Sequence, residues 1–225
     1  MSNCEQCIIR QFNSLKSLTK EELLRISDCK TSKIIKKGEL IFDEGENVNG
    51  VYCIKDGVCK LTKLSANGKD QIVKLVVRGD LLGQRSLVSD EVTNLSATAL
   101  SEMQVCFIPK QEIMTDLHKN SDFTLDVLQH MAKDLRKADN VIVNMAQKSV
   151  RQRLAEALIY IYNTFGITED DMLSVVISRE DFANIVGTAT ESAIRILSQF
   201  KKDGLISTKG KQIKIEDLVA LKRVE

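Results

Sequence analysis

The sequence predicts an α+β chain: a β-rich first half, a long central helix, and a helical last third closed by a β-hairpin. Three observations carry this reading. Glycines fall at 38, 45, 50, 57, 68 and 79, about one every eight residues, which is the spacing of short strands joined by turns. No glycine occurs between Gly83 and Gly166, and beyond Pro109 the apolar residues take up helical periodicity. The last third holds two helical segments around a glycine break and then a short hairpin, the layout of a winged helix.

A first helix is expected over 19–27, because Thr19 can cap it, Glu22 stands three residues on, and Leu23, Leu24 and Ile26 supply an apolar face. Strands are expected at 33–42, 51–54, 58–64, 72–77, 96–100 and 104–108, with Asp56-Gly57 and Asn67-Gly68 as hairpin turns. Several strands without intervening helices make a sandwich or a barrel. In the helical stretch, Leu128, Met131, Leu135, Ala138, Ile142 and Met145 recur in steps of three and four. This heptad seam suits either a coiled-coil-like contact with a second copy or packing on its own domain. Asp134 and Asp139 flank it, where carboxylates can tune a dimer or simply face solvent. Helices follow over 150–165 and 178–200, the latter divided at Val186-Gly187-Thr188; Ser178 caps its first part, and Thr188-Ala189-Thr190-Glu191 reads as a capping box for its second. Strands 205–208 and 212–215 around Lys209-Gly210-Lys211 form the wing. The expected boundaries are 1–117 for the β-rich domain with its leading segment, 118–147 for the long helix and 148–225 for the winged helix.

On the helix over 188–200, Ala193, Ile196, Leu197 and Phe200 share a face that should be buried, and Thr190, Glu191, Ile194 and Arg195 share the other. An Arg can bind guanine O6 and N7 together, a carboxylate can accept from cytosine N4, and an apolar tip can touch a thymine methyl in the major groove. Glu191 can also merely complete the cap and pair with Arg195 one turn on. The neighbourhood favours DNA: residues 195–214 hold six basic residues against one acidic, with Lys209 and Lys211 on the wing, and Lys148, Arg151 and Arg153 form a second cluster. Such residues lie where phosphates run and position a protein without specifying sequence.

Composition bounds the partners. Thirty-two Lys+Arg against thirty-one Asp+Glu in 225 residues give a net charge of +1, so the binding face exists only at the scale of one helix and one wing. Aromatics at 4% and no tryptophan exclude the stacking platforms of single-strand binders. No apolar run approaches the ~20 residues of a membrane span, and the polar start lacks a signal pattern; a cytoplasmic chain is expected, with its six cysteines reduced. His118 and His130 are the only histidines and lie in the helical stretch. A cupin-like metalloenzyme barrel, a catalytic triad and a Walker loop are therefore all without their residues.

The chain resembles the CRP/FNR transcription regulators over nearly its whole length. Residues 51–61 (Val-Tyr-Cys-Ile-Lys-Asp-Gly-Val-Cys-Lys-Leu) and 78–83 (Arg-Gly-Asp-Leu-Leu-Gly) are similar to the family's effector domain. Residues 178–187, then Thr190-Glu191-Ser192 and Arg195, resemble its DNA-reading motif, and 210–215 its wing. The resemblance implies an N-terminal jelly-roll barrel of the cyclic-nucleotide-binding kind, a dimerisation helix and a winged helix-turn-helix. It implies a homodimer on palindromic promoter DNA, with two half-sites about one helical turn apart and RNA polymerase as a further partner. Ser178, Arg179, Thr190, Glu191, Ser192, Ile194, Arg195, Lys209 and Lys211 are then the DNA-facing residues. Thr190 stands where the cyclic-AMP receptor's motif has an Arg, which alters the preference at that position.

The effector pocket departs from the cyclic-nucleotide-binding members. Their Gly-Glu-Leu and Arg-Ser-Ala stretches correspond here to Gly83-Gln84-Arg85-Ser86 and Leu95-Ser96-Ala97, so the ribose-binding Glu and phosphate-pairing Arg are missing. A buried phosphate without its bidentate Arg loses its strongest contact, unless Arg85 substitutes.

Cys4-Glu-Gln-Cys7 can bind a metal or cluster, or act as a redox dithiol. In FNR-type oxygen sensors an N-terminal cysteine segment and a distant barrel cysteine hold an iron-sulfur cluster. The resemblance matches Cys4 and Cys7 to two N-terminal ligands and Cys106, within 103–109, to the distant one. Asn13 occupies about the place of the third, so a 4Fe–4S cluster has to recruit Cys29 or a non-Cys ligand. Cys53 and Cys59, on expected strands, read as small apolar core residues. The alternatives are zinc, thiol redox sensing, or structural cysteines in a regulator that binds a small effector.

Overall fold

The computed structural model describes residues 4–66 and 68–225. It divides into two compact units: residues up to 63 with 73–137, and 64–72 with 138–225. The expected turn residue Asn67 lies outside the described residues.

In the first unit, three short 3-10 turns (Cys4–Gln6, Ile8–Phe12 and Ser14–Ser17) lead into α1 (Lys20–Cys29). Its cap is the expected one: Thr19 Oγ1 accepts from the Glu22 amide at 3.3 Å, while the Glu22 carboxylate accepts from the Thr19 amide at 2.7 Å. The single strand expected at 33–42 is two, β1 (Thr31–Ile35) and β2 (Leu40–Phe42). Between them the chain reverses at Gly38, whose φ of 86° is a conformation that a β-carbon disfavours. Next come β3 (Gly50–Asp56), β4 (Cys59–Leu64), β5 (Asp70–Val76), β6 (Leu81–Leu82), α2 (Gln84–Ser89), β7 (Ser96–Ala99) and β8 (Met103–Pro109). The two-residue β6 and one-and-a-half-turn α2 are too short to leave a periodicity in sequence.

Two four-stranded sheets result, in the orders β1-β8-β3-β6 and β2-β7-β4-β5. Side chains alternate across a strand, and here both faces of β3 and β8 are buried. Ile54, Met103 and Val105 point between the sheets, into a core with Phe42, Cys59, Val76 and Ala97. Val51, Cys53, Cys106 and Ile108 point outward, into a second core formed with the N-terminal turns, α1 and the helices after β8.

Those helices are two. α3 (Lys110–Lys119) and α4 (Ser121–Gln147) are separated at Asn120, whose side-chain Oδ1 accepts from the Phe123 backbone amide at 3.0 Å and whose Nδ2 donates to the Glu22 carboxylate at 2.8 Å. Asn120 thus starts α4 and ties it to α1, and Phe123 and Val127 bury into the outer core.

The second unit continues with α5 (Val150–Phe165), α6 (Arg179–Val186), α7 (Thr190–Lys202), β9 (Ile206–Lys209), β10 (Gln212–Ile215) and α8 (Leu218–Leu221). Ser149 and Gln152 form a capping box on α5, and Ser178 Oγ accepts from the Asp181 amide at 2.9 Å at the start of α6. The capping box expected for α7 is absent. The helix starts one residue later than that box requires, so its N-cap is Ala189, which has no side-chain acceptor, and Glu191 is released from a capping role. Gln71, in the 64–72 stretch, donates to the carbonyls of Asn184 (2.6 Å) and Ile185 (3.3 Å) at the end of α6.

Candidate DNA-reading surface and cysteine pocket

α6 ends at Gly187, whose φ of 65° turns the chain into α7. Ala193, Leu197 and Phe200 anchor α7 with at most 3% exposure, and Ile196 is half-buried. On the opposite face Glu191, Ile194 and Arg195 are exposed, with Thr190 and Ser192 partly so. An i, i+3, i+4 set therefore projects from a rigidly seated helix, which suits base-edge contacts. Arg179, at the start of α6, is half-buried with one guanidinium nitrogen unpartnered, and burial holds its pKa below the usual guanidinium value. Ser178 is engaged with Asp181 through both its oxygen and its proton.

The basic residues separate into two groups. Lys201, Lys202, Lys209 and Lys211 are exposed around the reading helix and the wing turn. The second expected cluster is mostly committed to structure. Arg153 donates to the carbonyls of Val186 (2.8 Å), Lys148 (2.7 Å) and Met145 (3.1 Å), satisfying helix ends that would otherwise lack donors. Arg151 pairs with Asp203 at 2.9 Å and stacks over the Phe200 ring at 4.8 Å. Lys148 pairs with Glu156, and Lys214 with Asp171 at 2.9 Å.

In the first unit, one small cavity is lined by Cys4, Cys7, Cys53 and Cys106, together with Arg10 and Lys30. β8 brings Cys106 between its register partners Ser32 of β1 and Cys53 of β3, and opposed residues on one face stand close enough for their side chains to meet. The first 3-10 turn and the residue after it carry Cys4 and Cys7 to the same cavity. Lys30 Nζ donates to Cys4 Sγ at 3.1 Å, and Asn13 Nδ2 to Cys53 Sγ at 3.6 Å. Burial pushes the Cys53 thiol up to about 12, with the sulfurs of Cys106, Cys7 and Cys4 adding to the effect. Cys59, between the sheets, is pushed to the same value by burial but faces no other cysteine. Cys29 is not among the lining residues. It ends α1, its thiol donates to the Ile26 carbonyl at 3.5 Å, and burial followed by the nearby Glu112 carboxylate raises its pKa. Sequence reasoning read Cys53 as core alone; the one signal available was its alternation phase with Cys106, unreadable without the strand register.

Two family models match the chain: cyclic nucleotide-binding domain over residues 32–120 and Crp-like helix-turn-helix domain over 152–224. The chain is 28% identical to the anaerobic regulatory protein of Pasteurella multocida, over 97% of this chain and 81% of that one. It is 28% identical to the fumarate and nitrate reduction regulatory protein of Vibrio cholerae, over 95% and 86%. In fold it is similar to a CRP/FNR-family regulator from Eubacterium rectale (TM-score 0.78, 20% identity, 92% and 95% covered) and to FixK2 from Bradyrhizobium japonicum (0.77, 23%, 87% and 97%). The chain belongs to the CRP/FNR family. It is a transcription regulator with a DNA-binding helix-turn-helix, and its family is one of regulators and not of enzymes.

The β domain of the cyclic-nucleotide-binding kind comes first, and it holds the four residues expected at an effector pocket. Arg85 is exposed. Ser96 Oγ donates to Asp43 Oδ1 at 2.5 Å and accepts from the Glu44 amide at 3.0 Å. Gly83 is the left-handed N-cap of α2, and the Gln84 side-chain oxygen is buried without a partner. Arg85 is the one cation among these four. Along α4, Leu128, Leu135 and Ile142 are 55%, 65% and 67% exposed, and Ala138 is exposed too. Met131 packs on the outer core, and Met145 lies near Gly187. Asp134 is engaged with Lys74 at 3.2 Å and Lys137 at 3.7 Å. Among the described residues no helix is long and apolar enough to cross a membrane.

Proposed function

We propose that this CRP/FNR regulator is a cytoplasmic homodimer that binds palindromic promoter DNA, works with RNA polymerase, and takes an oxygen or redox signal through an iron-sulfur cluster in its first domain. The observation that carries the reading is the meeting of four cysteines in one cavity with the cations Arg10, Lys30 and Lys55 on its wall. The names of its relatives, anaerobic regulatory protein and fumarate and nitrate reduction regulatory protein, point the same way.

The donor set fits such a group. Thiolates are the ligands of iron-sulfur clusters, and Arg10 and Lys30 offset the negative charge that several bound thiolates accumulate. Among the described residues no group of three Cys, His, Asp or Glu is placed to hold a metal ion. Cys4, Cys7 and Cys106, with a fourth cysteine, would hold it, and when bound it would supply an oxygen-labile, redox-active centre. The chain's residues do the rest. The N-terminal turns pack on α1, Phe123 and Val127, so the order of the cysteine segment bears on the first turns of α4. The exposed Leu128, Leu135 and Ile142 face of α4 takes a second copy. Residues 1–117 thus sense, 118–147 dimerise and 148–225 read DNA, through Thr190, Glu191, Ser192, Ile194 and Arg195 on the bases and Ser178, Arg179, Lys209 and Lys211 near the backbone.

Anaerobic purification followed by iron and sulfide analysis, a visible spectrum and gel shifts on palindromic DNA tests this. A coloured, iron-containing protein that shifts the DNA is expected. A colourless, iron-free protein after anaerobic reconstitution removes the cluster, and failure to discriminate palindromes from random duplex removes the sequence-specific reader.

A further inference from the structure

We propose that Cys53 is the fourth cluster ligand, completing Cys4, Cys7 and Cys106, and that Asn13 is an outer-shell donor to its sulfur. This rests on the cluster reading above.

Three independent placements support it. First, Cys53 and Cys106 are register partners on the two central strands of one sheet and point to the same face, so the sheet itself fixes two sulfurs side by side. Second, Cys53 lines the cavity that Cys4 and Cys7 cover, whereas Cys29 does not line it. Third, Asn13 occupies about the position where the resemblance expects a third N-terminal cysteine. It is buried and held by its amide to the carbonyls of Gly79 (3.0 Å) and Ile9 (3.4 Å), and that same nitrogen lies 3.6 Å from Cys53 Sγ. The Asn13 side chain thereby reaches the sulfur that the sheet supplies. Amide donors to ligating sulfurs tune both affinity and potential. On binding, each thiol gives its proton to solvent and its sulfur lone pair to iron; no electron is transferred.

The full-length chain, reconstituted anaerobically with equal amounts of ferrous and ferric iron and with sulfide, is assayed for iron and sulfide per chain, visible absorption and the EPR spectrum after reduction. The Cys29→Ser/Cys59→Ala double variant retains four cysteines, and full loading with an unchanged spectrum is expected. Cys53→Ser is expected to load less than about half the wild-type iron, or to load with a shifted EPR spectrum from oxygen ligation. Asn13→Ala should keep the cluster type but weaken iron retention roughly tenfold. If Cys53→Ser does not fold, the double variant decides alone: a folded double variant that loses the cluster overturns the proposal. So does Cys53→Ser with wild-type iron and spectrum. Wild-type protein that takes up no iron instead fails the cluster reading itself.

Discussion

The reading surface and the cysteine pocket solve opposite problems. The reading surface is local: thirteen consecutive residues of α7 bury one face and expose the other, and a hairpin a few residues on carries the exposed Lys209 and Lys211. The cysteine pocket is assembled over long range, with Cys4 and Cys7 from the leading turns, Cys53 from β3 and Cys106 from β8. The first works by exposure, because bases and phosphates must reach it. The second works by burial, which pushes the Cys53 thiol up to about 12, so that a metal must displace its proton to bind there. What is exposed and local tolerates single changes gracefully; what is buried and convergent does not.

Mutations can break or sharpen that contrast. The largest effect is expected where the reading helix itself is buried: Phe200→Ala removes a fully buried ring beneath Arg151 and should cost roughly 3–5 kcal/mol of stability in denaturant unfolding. On the exposed face, Arg195→Ala should leave stability untouched and remove about 1–3 kcal/mol of discrimination between sites, read by binding across a panel of duplexes. Lys209→Ala should weaken all duplexes similarly and lower the salt slope by about one; equal behaviour of the two variants would sink the division between base and phosphate contacts. Ser149→Ala removes the α5 capping box and should cost about 1 kcal/mol.

The smallest expected effect is a pH dependence in the first unit. His130 accepts or donates a bond to Ser14 Oγ at 3.2 Å. Burial, then Lys133, lowers its pKa below 6.5, against the opposing pull of Asp126 and Asp134. The unfolded chain then binds this proton more readily than the folded one. Stability is therefore full above about pH 6.5 and falls as the pH drops toward the lowered value. His130→Gln should flatten that slope in thermal melts, and an unchanged slope would remove His130 as its source.

The same contrast explains what could be read from sequence. The α1 cap, the extent of α5, the α6 boundary and the buried face of α7 are set by residues within one or two turns of each other, and they were legible. The division of 33–42 was missed because the pattern continues through Lys36-Lys37-Gly38. The capping box at Thr188 failed because the residues permit it while the turn at Gly187 delays the helix by one residue. Arg153 looked like a phosphate contact because composition records charge and not the carbonyls of Met145, Lys148 and Val186. Cys53 was read as core for a related reason: the outer sheet face becomes a pocket wall only when a segment some forty residues away in sequence folds over it.

The central claim is that the state of the cysteine pocket sets the affinity of the reading surface. The most direct test follows one anaerobically reconstituted full-length sample during controlled exposure to air, with iron content and affinity for a palindromic duplex measured on the same aliquots. The account predicts that affinity falls together with iron, by roughly tenfold or more between the end points, the scale of a few kcal/mol of population shift. Affinity that stays constant while the iron is lost would contradict it.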